Sequence, residues 1–210
     1  MENPNYRLEA FSDGVFAIAL TLLIIDIKIP QADSVHSDKE LWIALAHQWP
    51  SWLAFFVSFI TILISWVAHS NAFKLIAKPT SRHTYANGLL LFSIIVLPYF
   101  TGVLAEYIKT AQAKPAINLY CGFSLLLSLS WNIIQYISLY PVSIYKPHVD
   151  LKKVKKVFSY SRYGLGLYTC TFLLSFWFPV TAFAIVTLLY MVWLVLGISL
   201  KEEKMTTGAI

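Results

Sequence analysis

Between Asp13 and Asp26 the chain offers twelve residues, GVFAIALTLLII, in which Thr21 is the one polar side chain. At a helical rise of about 1.5 Å per residue this core covers roughly 18 Å. A bilayer's hydrocarbon, about 30 Å thick, takes nearer 20 apolar residues. A spanning helix built on this stretch therefore carries an aspartate to hydrocarbon depth. A charge there is tolerated only where it faces protein or a water-filled cavity. The stretch from Arg7 to Pro30 holds Arg7, Glu9 and Asp13 at one end and Asp26 and Lys28 at the other. It reads as an inner helix, shielded from lipid and lining a pathway.

Composition places this helix in a membrane. The 210 residues are 58% hydrophobic and 13% charged, against roughly 45–50% and about 25% in soluble domains. The aromatic share of 16% suits anchoring at both interfaces. No stretch alternates as a strand does, and there are no repeats or low-complexity tracts, so the fold class is all-α and integral to the membrane. The N-terminal apolar run is preceded by acids and lacks a basic leader and a small-residue cleavage site, so it is not expected to be a cleaved signal. The net charge of +5 follows membrane topology and needs no nucleic-acid partner. Cys121 and Cys170 fall in apolar segments without metal-type spacing and read as small hydrophobes.

Six apolar segments are expected, at about 6–29, 50–73, 85–108, 116–140, 157–177 and 179–200, making residues 1–210 one six-helix domain. A polar loop from Gln31 to Glu40 leads to Trp42, Trp49 and Trp52, an outer interfacial belt. The third segment starts after the basic linker KPTSRH, and the fourth closes at Pro141 and the loop SIYKPHVDLKKVKK. The fifth and sixth meet at FWFPV and form a tight hairpin. Six crossings put both termini on one side, with Arg7, Lys74, Lys78, Arg82, Lys146, Lys152, Lys153, Lys155, Lys156, Arg162, Lys201 and Lys204. The other side holds only Lys28, Lys39, Lys109 and Lys114. The positive-inside bias makes the termini cytoplasmic.

On a helical wheel Arg7, Phe11, Gly14, Ile18, Leu22, Ile25 and Ile29 form one stripe with Thr21 at its edge, while Asp13, Ala17, Leu20 and Ile24 lie on another face. One such helix cannot enclose a pore, but several copies around an axis can. Ile18, Leu22 and Ile25 would then stack as apolar rings. A narrow apolar ring gates by dewetting; a slightly wider one makes a cation shed water without replacing it, which penalises strongly hydrated ions more. The plainer alternative is a stripe packed against neighbouring helices.

Asp13 suits either a charge network at the inner end of the pathway or, with Ser12, a helix cap. Its expected partners are Arg7 and the polar groups at the cytoplasmic ends of the second and third segments, where Trp66, His69, Ser70, Asn71 and Asn87 stand. A buried carboxylate needs such partners. Asp26, at the outer end, could draw in cations, or simply be a solvated helix end. His69, the one histidine within a membrane segment, could pair with Asp13 and respond to pH, or be a satisfied structural histidine. No metal site, HExxH, GxSxG, P-loop or paired intramembrane aspartates occur, so no enzyme is expected and no cofactor beyond the permeant ion. The run Lys152 to Lys156 marks a cytoplasmic surface, with contact to anionic lipid open.

The residues RLEAFSDGVFAIALTLLIIDIKIP resemble the first-helix signature of the transmembrane protein 175 family, potassium channels of endolysosomes and their prokaryotic relatives. The family's Phe-Ser-Asp stands as Phe11, Ser12 and Asp13, preceded by Arg7. Trp66 and His69 in the second segment and NGLLLFSIIVLPYF in the third also resemble it, so the likeness covers about half the chain. It implies a pore lined by the first helix and constricted at Ile18, Leu22 and Ile25, with Thr21 close by. Animal members carry two six-helix repeats and pair as dimers, so this single repeat implies a homotetramer, in the inner (plasma) membrane of a prokaryote. It also implies weaker potassium selectivity than in animal members. The rival is a secondary transporter with coupled protons on Asp13 and His69; inverted repeats or broken helix pairs, which would favour it, are not evident. A third possibility is a scaffold whose first-helix polar groups serve assembly alone.

Overall fold

The computed structural model describes residues 5–140 and 142–206, with side chains throughout except those of Asp26 and residues 198–206. The side chains of Asp26, Lys201 and Lys204 therefore lie outside the described residues.

The first helix, α1 (Tyr6–Leu22), runs into a 3₁₀ turn at Leu23–Asp26. Ile27 is then extended, and Pro30 keeps the chain from resuming a helix by disfavouring helical backbone at Ile29. The expected segment of about 6–29 is thus α-helical only to Leu22.

The polar approach contains an unforeseen helix, α2 (Asp38–His47). Ser37 caps it by accepting from the Glu40 amide at 3.3 Å, while the Glu40 carboxylate accepts from the His36 amide at 2.7 Å. These are the reciprocal bonds of a capping box, shifted by one residue. None of its residues is buried.

The long helices are α3 (Trp49–Leu75), α4 (Ser81–Tyr107), α5 (Ala113–Leu139), α6 (Leu151–Ser175) and α7 (Pro179–Thr206). Several start on a recognisable signal: Pro50 in the first turn of α3, Thr80 accepting from the His83 amide, and Asp150 accepting from the Lys152 amide at 2.8 Å. Because of that Asp150 cap, α6 begins at Leu151, well before the expected 157. Three residues, Phe176 to Phe178, join α6 to α7, the close hairpin expected at FWFPV.

Among the described residues five helices are long and apolar enough to cross a membrane. The exception among the long helices is α6. Its length of 25 residues suffices, but Lys152, Lys153, Lys155, Lys156 and Arg162 crowd its first half.

α5 packs on α4, α6 and α7, and α3 on α4 and α7. Buried hydroxyls cross these seams: Ser58 with Thr101 and Tyr120, Ser93 with Ser130 at 3.0 Å, and Tyr190 donating to Ser124 at 2.9 Å. In an apolar surrounding such bonds fix helix register. At one end of the bundle the α3–α4 and α5–α6 linkers form an antiparallel bridge, Ile76 with Tyr145. Asn5 joins it, its amide donating to the Ile76 carbonyl at 2.9 Å. At the other end Gln48 donates to the Lys28 carbonyl, and Lys28 pairs with Glu106 at 3.4 Å.

Candidate functional site

α1 touches only α3 and α4 among the described helices, and it stands at the edge of the protomer. The sequence expectation of an inner helix does not hold within one chain. The buried residues of α1 are Ser12, Phe16 and Ala19, continued by Leu23 in the 3₁₀ turn. Their spacing places them on one helical face, directed into the core shared with α3 and α4.

Ser12 is the polar member of that face. Its hydroxyl donates to the Leu8 carbonyl at 2.8 Å and accepts from Asn87 Nδ2 at 3.0 Å. Asn87 Oδ1 in turn accepts from His69 Nε2 at 2.8 Å. This direction puts the hydrogen of His69 on Nε2. The His69 ring stacks on Phe73, centroids 4.2 Å apart, with Phe16 tilted 5.5 Å away. Ser12, Asn87 and His69 are all buried, so one polar chain joins α1, α4 and α3.

Asp13, the next residue, points outward and is exposed. Its Oδ1 accepts from Trp66 Nε1 at 2.9 Å, a second tie from α1 to α3. Of the six residues expected in the inner polar network, five are thus linked: Ser12, Asn87 and His69 in one chain, Asp13 and Trp66 in another. Arg7 is the sixth, and it is exposed. Among the described residues the one ion pair is Lys28 with Glu106, so Arg7 does not partner Asp13. His69 does not bond Asp13 either, because its Nε2 is engaged by Asn87.

The stripe named from the wheel lies away from α3 and α4. Ile18 is 61% exposed, Leu22 41% and Ile25 71%, and Phe11 and Gly14 are exposed as well. The 3₁₀ turn improves the alignment of Leu22 with Ile25. At three residues per turn, side chains at i and i+3 eclipse. Thr21 Oγ1 donates to the Ile18 carbonyl at 2.8 Å, so its hydrogen is held by its own helix. The exposed arc is broader than the stripe: Asp13, Ala17 and Ile24 share it.

Sequence reasoning missed Asn5, whose buried amide fastens the start of α1 to the end of α3. Asn is a cap type, but nothing local says that it reaches another helix. It also missed the Ser58–Thr101 and Ser124–Tyr190 seams, since buried hydroxyls in apolar helices carry no periodic signal. No cluster of three or more His, Cys, Asp or Glu able to hold a metal occurs among the described residues.

Residues 7–98 match the model of the family described as "Endosomal/lysosomal potassium channel TMEM175". The chain is 40% identical over 170 residues to a potassium channel of Chamaesiphon minutus, an alignment covering 81% of this chain and 83% of that one. A potassium channel of a Chryseobacterium strain is 31% identical over 208 residues, covering 94% and 98%. The zebrafish endosomal/lysosomal proton channel TMEM175 is 31% identical over 185 residues, which are 81% of this chain and 34% of that protein. In three dimensions the fold follows the crystal structure of a lysosomal potassium-selective channel TMEM175 homolog from Chamaesiphon minutus, with a TM-score of 0.83 at 35% identity. That match covers 93% of this chain and 99% of the other. Together these features define an integral membrane cation channel, not an enzyme. The chain belongs to the TMEM175 family.

Proposed function

We propose that the chain is the subunit of a passive, potassium-preferring channel in which four copies set α1 around a central axis. Residues 1–210 act as one domain whose helices cross six times, α6 included, with both termini in the cytoplasm of a prokaryotic cell and the channel in its plasma membrane. Ile18, Leu22 and Ile25 form the constriction, with Thr21 beside it and Asp26 at the outer mouth. The polar ties of Ser12, Asp13, Trp66, His69 and Asn87 hold α1 at its angle, and Arg7 lies at the inner mouth.

The observation that carries this reading is the position of α1. It is anchored to its own protomer by one polar face, while an aliphatic stripe on the remainder stays exposed. The stripe continues an exposed arc that bears the Asp13 carboxylate, so a water-filled axis shared between copies suits both. Selectivity then follows from dehydration. An aliphatic ring offers no ligand in place of water, which excludes sodium more strongly than potassium.

Bilayer recordings of the purified channel test this. Discrete current steps are expected, whereas electrogenic flux without steps would favour a proton-coupled transporter. With potassium and sodium on opposite sides, Ile18→Asn and Leu22→Asn should each move the reversal potential toward zero. Unchanged ion ratios would exclude both residues from the pore wall.

A further inference from the structure

We propose that a groove between the end of α5 and the first half of α6 binds one anionic phospholipid, with Lys155 and Arg162 holding its phosphodiester. The groove has a volume of about 490 Å³, opens to the surface, and is lined by Tyr136, Tyr140, Lys155, Phe158 and Arg162. Tyr136 stands in the last turn of α5 and Tyr140 just past its end, and Lys155, Phe158 and Arg162 share one face of α6.

Arg162 lies about three turns into α6, deeper than a free guanidinium should sit in a membrane helix. Its guanidinium lies over the Phe158 ring at 5.0 Å, and so turns back toward the basic start of the helix. Among the described residues the one ion pair, Lys28 with Glu106, is at the opposite end of the bundle. Two cations therefore face the groove with no carboxylate partner among the described residues.

The chemistry that completes the site is a monoanionic phosphodiester. A zwitterionic lipid brings its own cation and cancels most of the attraction. The wall beyond the cations argues for a lipid over a soluble anion. At helical spacing, Ile133 and Leu129 follow Tyr136 along α5, and Leu165 follows Arg162 along α6. An acyl chain can lie against these residues. The paired tyrosine rings, 5.3 Å apart, suit the glycerol level, where amphipathic aromatics collect.

The test is native mass spectrometry of the full chain in detergent, titrated with phosphatidylglycerol or phosphatidylcholine. Phosphatidylglycerol should bind in preference. The pair Lys155→Gln and Arg162→Gln should weaken it roughly thirtyfold, while Lys152→Gln with Lys153→Gln, at the same basic end but outside the groove, should not. Arg162→Lys should retain most of the binding. A readout independent of any variant is the melting temperature of the unaltered protein, which should rise with phosphatidylglycerol and not with phosphatidylcholine. Equal binding of the two lipids, equal loss from both variant pairs, or displacement by millimolar inorganic phosphate would overturn the proposal. So would a smaller oligomer in the groove variant, which would make the groove a contact between copies.

Discussion

Asn87 uses both ends of one amide: Nδ2 donates to Ser12 and Oδ1 accepts from His69. Removing it leaves the buried Nε2–H of His69 without an acceptor, at a cost of about 1–3 kcal/mol, while Ser12 keeps its bond to the Leu8 carbonyl. Asn87→Ala should therefore lower the melting temperature in detergent by several degrees. Trp66→Phe should do less, because its bond to Asp13 lies at an exposed edge, where water substitutes for the lost partner. Equal shifts would mean that the buried chain is no more costly to break than the exposed tie. Asp13 separates position from charge: Asp13→Ala should impair assembly or gating more than ion preference, read by light scattering and reversal potentials. A stable tetramer with normal currents would show the carboxylate to be dispensable. These partnerships were only partly legible. The residue types and the end of the bundle were evident from sequence. The choice of Asn87 over Asp13 for His69 was not, because it depends on how α1 is rotated against α3 and α4.

At the scale of the helix, Trp193 of α7 packs directly against Gly164 of α6. A Cβ there would lie 2.8 Å from Trp193 Cζ2, on the indole ring. Gly164→Ala should cost about 1–3 kcal/mol through overpacking. One half-turn on, Gly166 has nothing within 4 Å of such a Cβ. Gly166→Ala should be neutral or stabilising by up to about 1 kcal/mol. Melting of the two variants side by side checks both, and a loss in each would deny the asymmetry. The hairpin itself was readable from FWFPV. The early start of α6 was not inferred, since its lysines look like a loop until Asp150 is recognised as a cap. α2 was likewise missed, although Ser37 and Glu40 carry the capping-box spacing. Short helices without a buried face lack the apolar period that marks the long ones.

For the whole assembly the decisive question is what covers the free face of α1. In a tetramer with α1 at the axis, Ile25→Cys should become a target from the pore. A bulky, membrane-impermeant thiol reagent should then block most of the current. The background should carry Cys170→Ala, because Cys170 is exposed while Cys121 is buried. Full current after complete labelling would place Ile25 away from the permeation path. The same preparation gives the subunit number by cross-linking.

What the sequence determined by itself was local. Apolar runs of membrane length dictate helices because a backbone in lipid must satisfy its own hydrogen bonds. The short core between Asp13 and Asp26 marked α1 as unable to face lipid alone. Only the tertiary structure decided that α1 stands at the protomer edge, and that Ser12 turns inward while Asp13 turns out. Periodicity states which residues share a face. Which neighbour covers that face is settled by packing among helices far apart in the chain.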